Sequence, residues 1–251
     1  MKEQAKRALG LLDLTSLNDN DTDETVVSLC RKAHGEFGHT AAVCIWPRFV
    51  KLSKKELEGT PVRIATVVNF PHGGTDIDAT VAETKQAIAD GADEIDVVLP
   101  YKAFMSGDKE SARALLKATR EACKGKTLKV IIESGVLAHA DTIADASRLS
   151  IECGADFIKT STGKTPVSAT PEAANVMLEV IRDSGKPVGF KASGGVRTTE
   201  QAVEYMTLAD KIMGPKWISP KTFRFGASGL RDSLLASMGY GEAPASSAKG
   251  Y

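Results

Sequence analysis

Short apolar runs recur along the chain, each closed by a polar or glycine-rich stretch and then by a longer segment with apolar residues at helical spacing. Residues 11–15, 41–46, 63–68, 94–99 and 128–133 read as strands, and 157–159, 188–191 and 223–226 complete a set of eight. The segments between them predict helices. One opens at Asp21 with acidic residues in its first turn, where they complement the helix dipole. A short one starts near Ser53, and longer ones cover about 76–90, 109–123 and 141–153. Thr170 and Pro171 predict an N-cap and a first helical residue. Thr198 with Gln201 fits a capping box, and the last helix is expected over 228–238. Eight strands, each followed by a helix and with no linker between, predict an α/β fold, a single (β/α)8 TIM barrel over residues 1–238. A doubly wound open sheet has the same alternation. The count of eight and the lack of an early G-x-G-x-x-G favour the barrel. From Gly239 the composition turns to Gly, Ala, Pro, Ser and Lys, so 239–251 reads as a mobile tail ending in Tyr251.

Composition narrows the function classes. The chain has 251 residues, 42% hydrophobic and 25% charged, the make-up of a soluble globular protein. Its 32 basic and 32 acidic residues balance, so no nucleic-acid or anionic-membrane partner is expected. The apolar runs are too short for a membrane span, and the charged start does not fit a secretory signal. Cys30, Cys44, Cys123 and Cys153 show no C-x-x-C spacing, which predicts reduced thiols and a cytoplasmic address. Cys44, near the end of the second strand, reads as a buried or pocket-lining thiol. The four histidines show no metal-ligand spacing, so a metal-dependent mechanism is not expected. The stretch Lys124-Gly-Lys-Thr-Leu-Lys129 reads as a solvated basic turn.

In such a barrel the chemistry sits at the C-terminal ends of the strands. Lys159 ends the sixth strand and is followed by small polar residues, and Lys191 repeats the arrangement in the seventh. Burial disfavours a charged amine, and a second lysine beside it does the same, so each is expected to depress the other's proton affinity. A neutral lysine attacks carbonyls and forms Schiff bases. Asp96 and Asp13 are the acidic candidates within strands. An internal ion pair explains any one of these residues alone; their convergence on one barrel end points to a site. Gly194 and Gly195 follow the seventh strand, and Gly226, Ser228 and Gly229 follow the eighth, the two places where such barrels bind phosphate. Lys164, after Gly163, offers a cation to the same anion.

Taken with their surroundings, these residues match a known pattern. Leu12-Asp-Leu-Thr15, Asn69-Phe-Pro-His-Gly, Gly91-Ala-Asp-Glu-Ile-Asp-Val-Val, Phe157-Ile-Lys-Thr-Ser-Thr-Gly-Lys164, Gly189-Phe-Lys and Gly194-Gly-Val-Arg-Thr198 resemble the class I 2-deoxyribose-5-phosphate aldolases of bacterial type nearly end to end. The resemblance implies reversible cleavage of 2-deoxy-D-ribose 5-phosphate to D-glyceraldehyde 3-phosphate and acetaldehyde, without a cofactor. It implies Lys159 as the Schiff-base nucleophile, Lys191 as the residue that keeps it neutral and shares in proton transfer, Asp96 as proton shuttle and Asp13 as supporting acid. It also implies Thr162 and Lys164 on the substrate chain, Gly163, Gly195, Gly226 and Ser228 on the phosphate, Tyr251 assisting proton transfer, and a homodimer.

The chain departs from the pattern at three places. Ala192-Ser193 stands where Pro-Ala is common, Trp46 where tyrosine is common, and Gly229 where a second serine is common. The last removes one donor to a phosphate. Competing readings are another Schiff-base sugar-phosphate aldolase or a transaldolase, and a barrel that binds sugar phosphates without catalysis.

Overall fold

A computed structural model of the protein describes residues 1–241. The strands are β1 (Leu12–Thr15), β2 (Ala42–Ile45), β3 (Arg63–Val68), β4 (Glu94–Val98), β5 (Thr127–Ile131), β6 (Phe157–Lys159), β7 (Gly189–Ser193) and β8 (Phe223–Ala227). They pair in parallel in sequence order, and β8 pairs with β1, so the sheet closes into a barrel. The helices are α1 (Lys2–Leu9), α2 (Asp23–Ala33), α3 (Val50–Glu56), α4 (Ile77–Ala89), α5 (Tyr101–Met105), α6 (Lys109–Ala122), α7 (Ser134–Leu137), α8 (Ala140–Glu152), α9 (Pro171–Ser184), α10 (Thr199–Met213) and α11 (Leu230–Met238). The (β/α)8 expectation holds. Among the described residues no helix is long and apolar enough to cross a membrane.

Strand residues are buried on both faces, as parallel strands covered by helices require. Alternation divides them. Val43, Ile45, Ile95, Val97, Leu128, Val130 and Phe190 belong to the main apolar core, which includes residues of the surrounding helices. A second, separate cluster of Leu17, Ala42, Cys44, Ala65 and Val67 occupies the β2–β3 side of the barrel interior, with Trp46 and Phe70 packed against it. The other side of the interior carries the charge: Asp13, Glu94, Asp96, Lys129, Lys159, Lys191 and Arg224 are all buried.

Local rules account for most of the element ends. Thr170 caps α9 by accepting from the Ala173 amide at 3.1 Å, with Pro171 as the first helical residue. Thr198 and Gln201 form the expected capping box on α10. Three differences stand out. The N-terminal helix α1 was not expected from the pattern; it buries Ala5, Ala8 and Leu9 against α10 and α11, and Arg7 pairs with Asp210. Strand β5 stops at Ile131 instead of 133, because Glu133 takes a positive φ of 56° and opens α7. The last helix begins at Leu230, with Ser228 left in the preceding loop. Replacing Thr198 by alanine should lower the unfolding free energy by about 1 kcal/mol, measured by urea denaturation; an unchanged midpoint would remove the box from the account of α10.

Candidate active site

Parallel strands carry alternate side chains to the barrel interior, so β1, β4, β5, β6, β7 and β8 each deliver a charged group there. Their contacts form a closed circuit of alternating charge. Arg224 donates to Asp13 Oδ1 at 2.6 Å, and Asp13 Oδ2 accepts from Lys191 at 2.6 Å. Lys191 reaches Asp96 Oδ2 at 2.9 Å, while Asp96 Oδ1 accepts from Lys129 at 2.8 Å. Lys129 lies 2.6 Å from Glu94 Oε2, and Glu94 Oε1 accepts from Arg224 at 2.9 Å, which closes the ring. Lys159 stands outside it. Its Nζ donates at 3.0 Å to Asp96 Oδ2, the oxygen that Lys191 also uses.

This geometry sorts the proton affinities. Burial lowers that of Lys159, the charge of Lys191 lowers it further, and Asp96 opposes them without winning. Burial also acts against Lys191, but Asp13 and Asp96 outweigh it and hold the amine protonated well above the ordinary lysine range. The mutual depression expected from sequence is therefore one-sided: Lys191 sits between two carboxylates, whereas Lys159 has a share of one. Burial would raise Asp96, yet Lys129, Lys191 and Lys159 pull it well below the usual carboxylate range. Burial is likewise overcome at Asp13, by Lys191, Arg224 and Lys129. Cys44, buried as expected, has its thiol pushed up by desolvation. Among the described residues no group of His, Cys, Asp and Glu is placed to hold a metal ion.

The loops above the ring divide the remaining candidates. Thr162 is buried, and its hydroxyl donates to Glu133 Oε2 at 2.6 Å while accepting from the Lys164 amide at 3.0 Å. It thus holds its own loop. Glu133 also accepts from the Thr162 amide and from Thr165. Lys164 spans the mouth to the Leu17 carbonyl at 2.6 Å. The Gly194 amide is spent on the Gly226 carbonyl, and a Cβ at Gly226 would lie 3.0 Å from Lys191 Cε and 2.5 Å from Ser193 Oγ. Gly226 therefore makes room for the lysine. Gly195 and Ser228 are exposed, and Gly229 precedes α11 as an N-cap that offers no side chain, which leaves the first-turn amides open to an anion. Tyr251 lies outside the described residues.

The DeoC/LacD family aldolase model matches residues 7–236. The chain belongs to that family. It is an aldolase, a carbon–carbon lyase. Among solved structures, a protein of Coccidioides immitis assigned as a deoxyribose-phosphate aldolase is 32% identical, with a TM-score of 0.80 over 90% of this chain and 83% of that one. One of Toxoplasma gondii ME49 with the same assignment is 26% identical, with a TM-score of 0.86 over 95% and 96%. The deoxyribose phosphate aldolase of Aeropyrum pernix, described as tetrameric, is 22% identical with a TM-score of 0.72 over 95% of each chain, a likeness of fold alone.

Three members of the aldolase's charged ring escaped the sequence reading. Lys129 was expected in a solvated turn; it is fully buried instead, because the turn ends at Lys126 and Lys129 is the third residue of β5, facing inward. Arg224 sits between two phenylalanines in its strand and Glu94 opens its strand after Asp93; they lie two residues from Gly226 and Asp96, and that spacing of two was the available signal. Lys129→Met should cost about 3–5 kcal/mol of stability, since it strands two buried carboxylates. Lys124→Met, at a side chain 81% exposed, should stay within about 0.5 kcal/mol. Equal effects in urea denaturation would mean that Lys129 does not compensate the interior charges.

Proposed function

We propose that this aldolase reversibly cleaves 2-deoxy-D-ribose 5-phosphate to D-glyceraldehyde 3-phosphate and acetaldehyde through an imine on Lys159. The observation that carries the reading is the pair of strand-end lysines on one Asp96 oxygen, one with lowered and one with raised proton affinity. The assignments of the Coccidioides and Toxoplasma structures support the choice of substrate.

The Lys159 nitrogen adds to the aldehyde carbon of the open-chain sugar, and water leaves to give an iminium. Loss of the C3 hydroxyl proton sends the C2–C3 bonding pair into that iminium. Glyceraldehyde 3-phosphate departs and an enamine remains on Lys159. A proton delivered to the enamine carbon restores an iminium, which water hydrolyses to acetaldehyde and free amine. Lys191 is the proton reservoir, because two carboxylates keep it charged. Asp96 Oδ2 faces both amines and passes protons between them, and its low proton affinity makes it a conduit instead of a store. Asp13 holds Lys191 in place. The phosphate binds at Gly195, Ser228 and the open first turn of α11, with Gly163 and Lys164 at the rim.

Two experiments test this. Sodium borohydride with acetaldehyde should leave a reduced adduct on Lys159, located by peptide mass spectrometry and absent in Lys159→Ala. Trapping should be full above the lowered proton affinity of Lys159 and decline as pH falls through it. An adduct on Lys191 would exchange the two roles, and adduct formation with dihydroxyacetone phosphate but not acetaldehyde would change the donor. For the phosphate, Gly229 has helix-compatible φ and ψ of −89° and −13°, and no atom lies within 4 Å of an added Cβ, so serine fits. Gly229→Ser should raise the preference for deoxyribose 5-phosphate over deoxyribose, read as a ratio of kcat/KM, by about tenfold. An unchanged ratio would place the phosphate elsewhere.

A further inference from the structure

The circuit of charges in the barrel has a property that its members do not have singly. Asp13, Glu94 and Asp96 supply three negative charges, and Lys129, Lys191 and Arg224 supply three positive ones. Each carboxylate bridges two of these cations, so the ring is complete and neutral without Lys159. A proton on Lys159 would be one positive charge in excess inside a desolvated interior, where an uncompensated charge is expensive. We propose that Arg224 and Glu94, on the side of the ring that meets neither Lys159 nor Asp96, are positioning residues that set the protonation of Lys159 by keeping the ring neutral. The inference rests on the reading of Lys159 as the imine-forming amine.

Geometry supports an action at a distance through the ring. Arg224 makes its ring contacts to Asp13 and Glu94 alone, and its Nε is fixed by the Pro220 carbonyl. It therefore holds the Asp13 oxygen opposite the one that Lys191 uses. Glu94 similarly holds Lys129, the cation on the far oxygen of Asp96. The groups facing Lys159 from the packed strands are Asp96 of β4, Lys191 of β7 and the neutral thiol Cys44 of β2, with Asp13 of β1, Lys129 of β5 and Arg224 of β8 behind them. Strand β3 contributes Ala65 and Val67 to the interior, and Glu133 lies above with its oxygens on Thr162 and Thr165. Burial and Lys191 lower the proton affinity of Lys159, as a neutral ring demands.

The test reads imine formation against pH in the intact protein. With acetaldehyde present, cyanoborohydride reduces the imine, formed with loss of water, to a stable ethyl-lysine at residue 159. Arg224→Gln makes the ring negative by one, so a proton on Lys159 now restores balance. The midpoint of the trapping profile should move to higher pH, and the rate at pH 7 should fall on the order of tenfold. Glu94→Gln makes the ring positive by one and should move the midpoint to lower pH. Arg224→Lys keeps the charge and should leave the midpoint near that of wild type. The opposite signs separate this from damage to the fold, which would move both variants alike. If Arg224→Gln does not fold, the near-isosteric Glu94→Gln decides alone. Midpoints that stay fixed, or that move the same way in both Gln variants, overturn the inference while leaving the imine on Lys159 intact. No adduct on Lys159 in the wild type at any pH overturns the imine reading itself, and this inference with it.

Discussion

One carboxylate oxygen organises the site. Asp96 Oδ2 takes hydrogen bonds from both Lys159 and Lys191 while Oδ1 is held by Lys129. A single negative oxygen cannot compensate two ammonium groups in a dry interior, so the two amines must differ. Asp13 breaks the tie by siding with Lys191. The unequal pair, one amine with lowered and one with raised proton affinity, is a consequence of where one extra carboxylate stands.

The barrel makes this arrangement affordable. Closed parallel pairing satisfies the strand backbones internally, and the helices keep the apolar faces on the outside dry. The interior is then free to be divided. Small apolar residues of β2 and β3 line one side, and the charged residues of β4 to β8 and β1 fill the other. The barrel interior thus has to fit apolar surface on one side and buried charge on the other. Gly226 shows how closely the two requirements are fitted, since even a methyl group there would press on the Lys191 stem.

The eight strands and their order of helices were legible because alternation and capping are local signals, and Thr198 with Gln201 or Thr170 with Pro171 carries its meaning within a few residues. Lys159, Lys191, Asp96 and Asp13 could be picked out as charges at or inside strands. What local pattern could not supply was sign and partnership. Lys129 looks the same in sequence as the exposed Lys124 and the half-buried Lys126, and only its place in β5 turns it inward. The resemblance places Thr162 on the substrate chain, and its position after β7 marks Gly194 as a phosphate glycine, yet polar atoms of both are already engaged, Thr162 with Glu133 and the Gly194 amide with Gly226. The αL turn at Glu133 is invisible to periodicity because the residue is not glycine. Helix α1 was missed for a different reason: its amphipathic face is short and alanine-rich, and it is stabilised by packing on α10 and α11.

The seam between β8 and β1 has a kinetic meaning as well. Arg224 and Asp13 are 211 positions apart, and Lys191 and Asp13 are 178 apart. Contacts of that separation form only after intervening segments have collapsed, and they carry the greatest loop-closure entropy. Until the last strand docks on the first, Asp13 lacks its two nearest cations and the charged interior is unbalanced. A partly folded chain that already has β4 to β7 in place thus holds both lysines and Asp96 but not the partition between them. The partition between the two lysines is in this sense a late property of folding, acquired when the first and last strands meet.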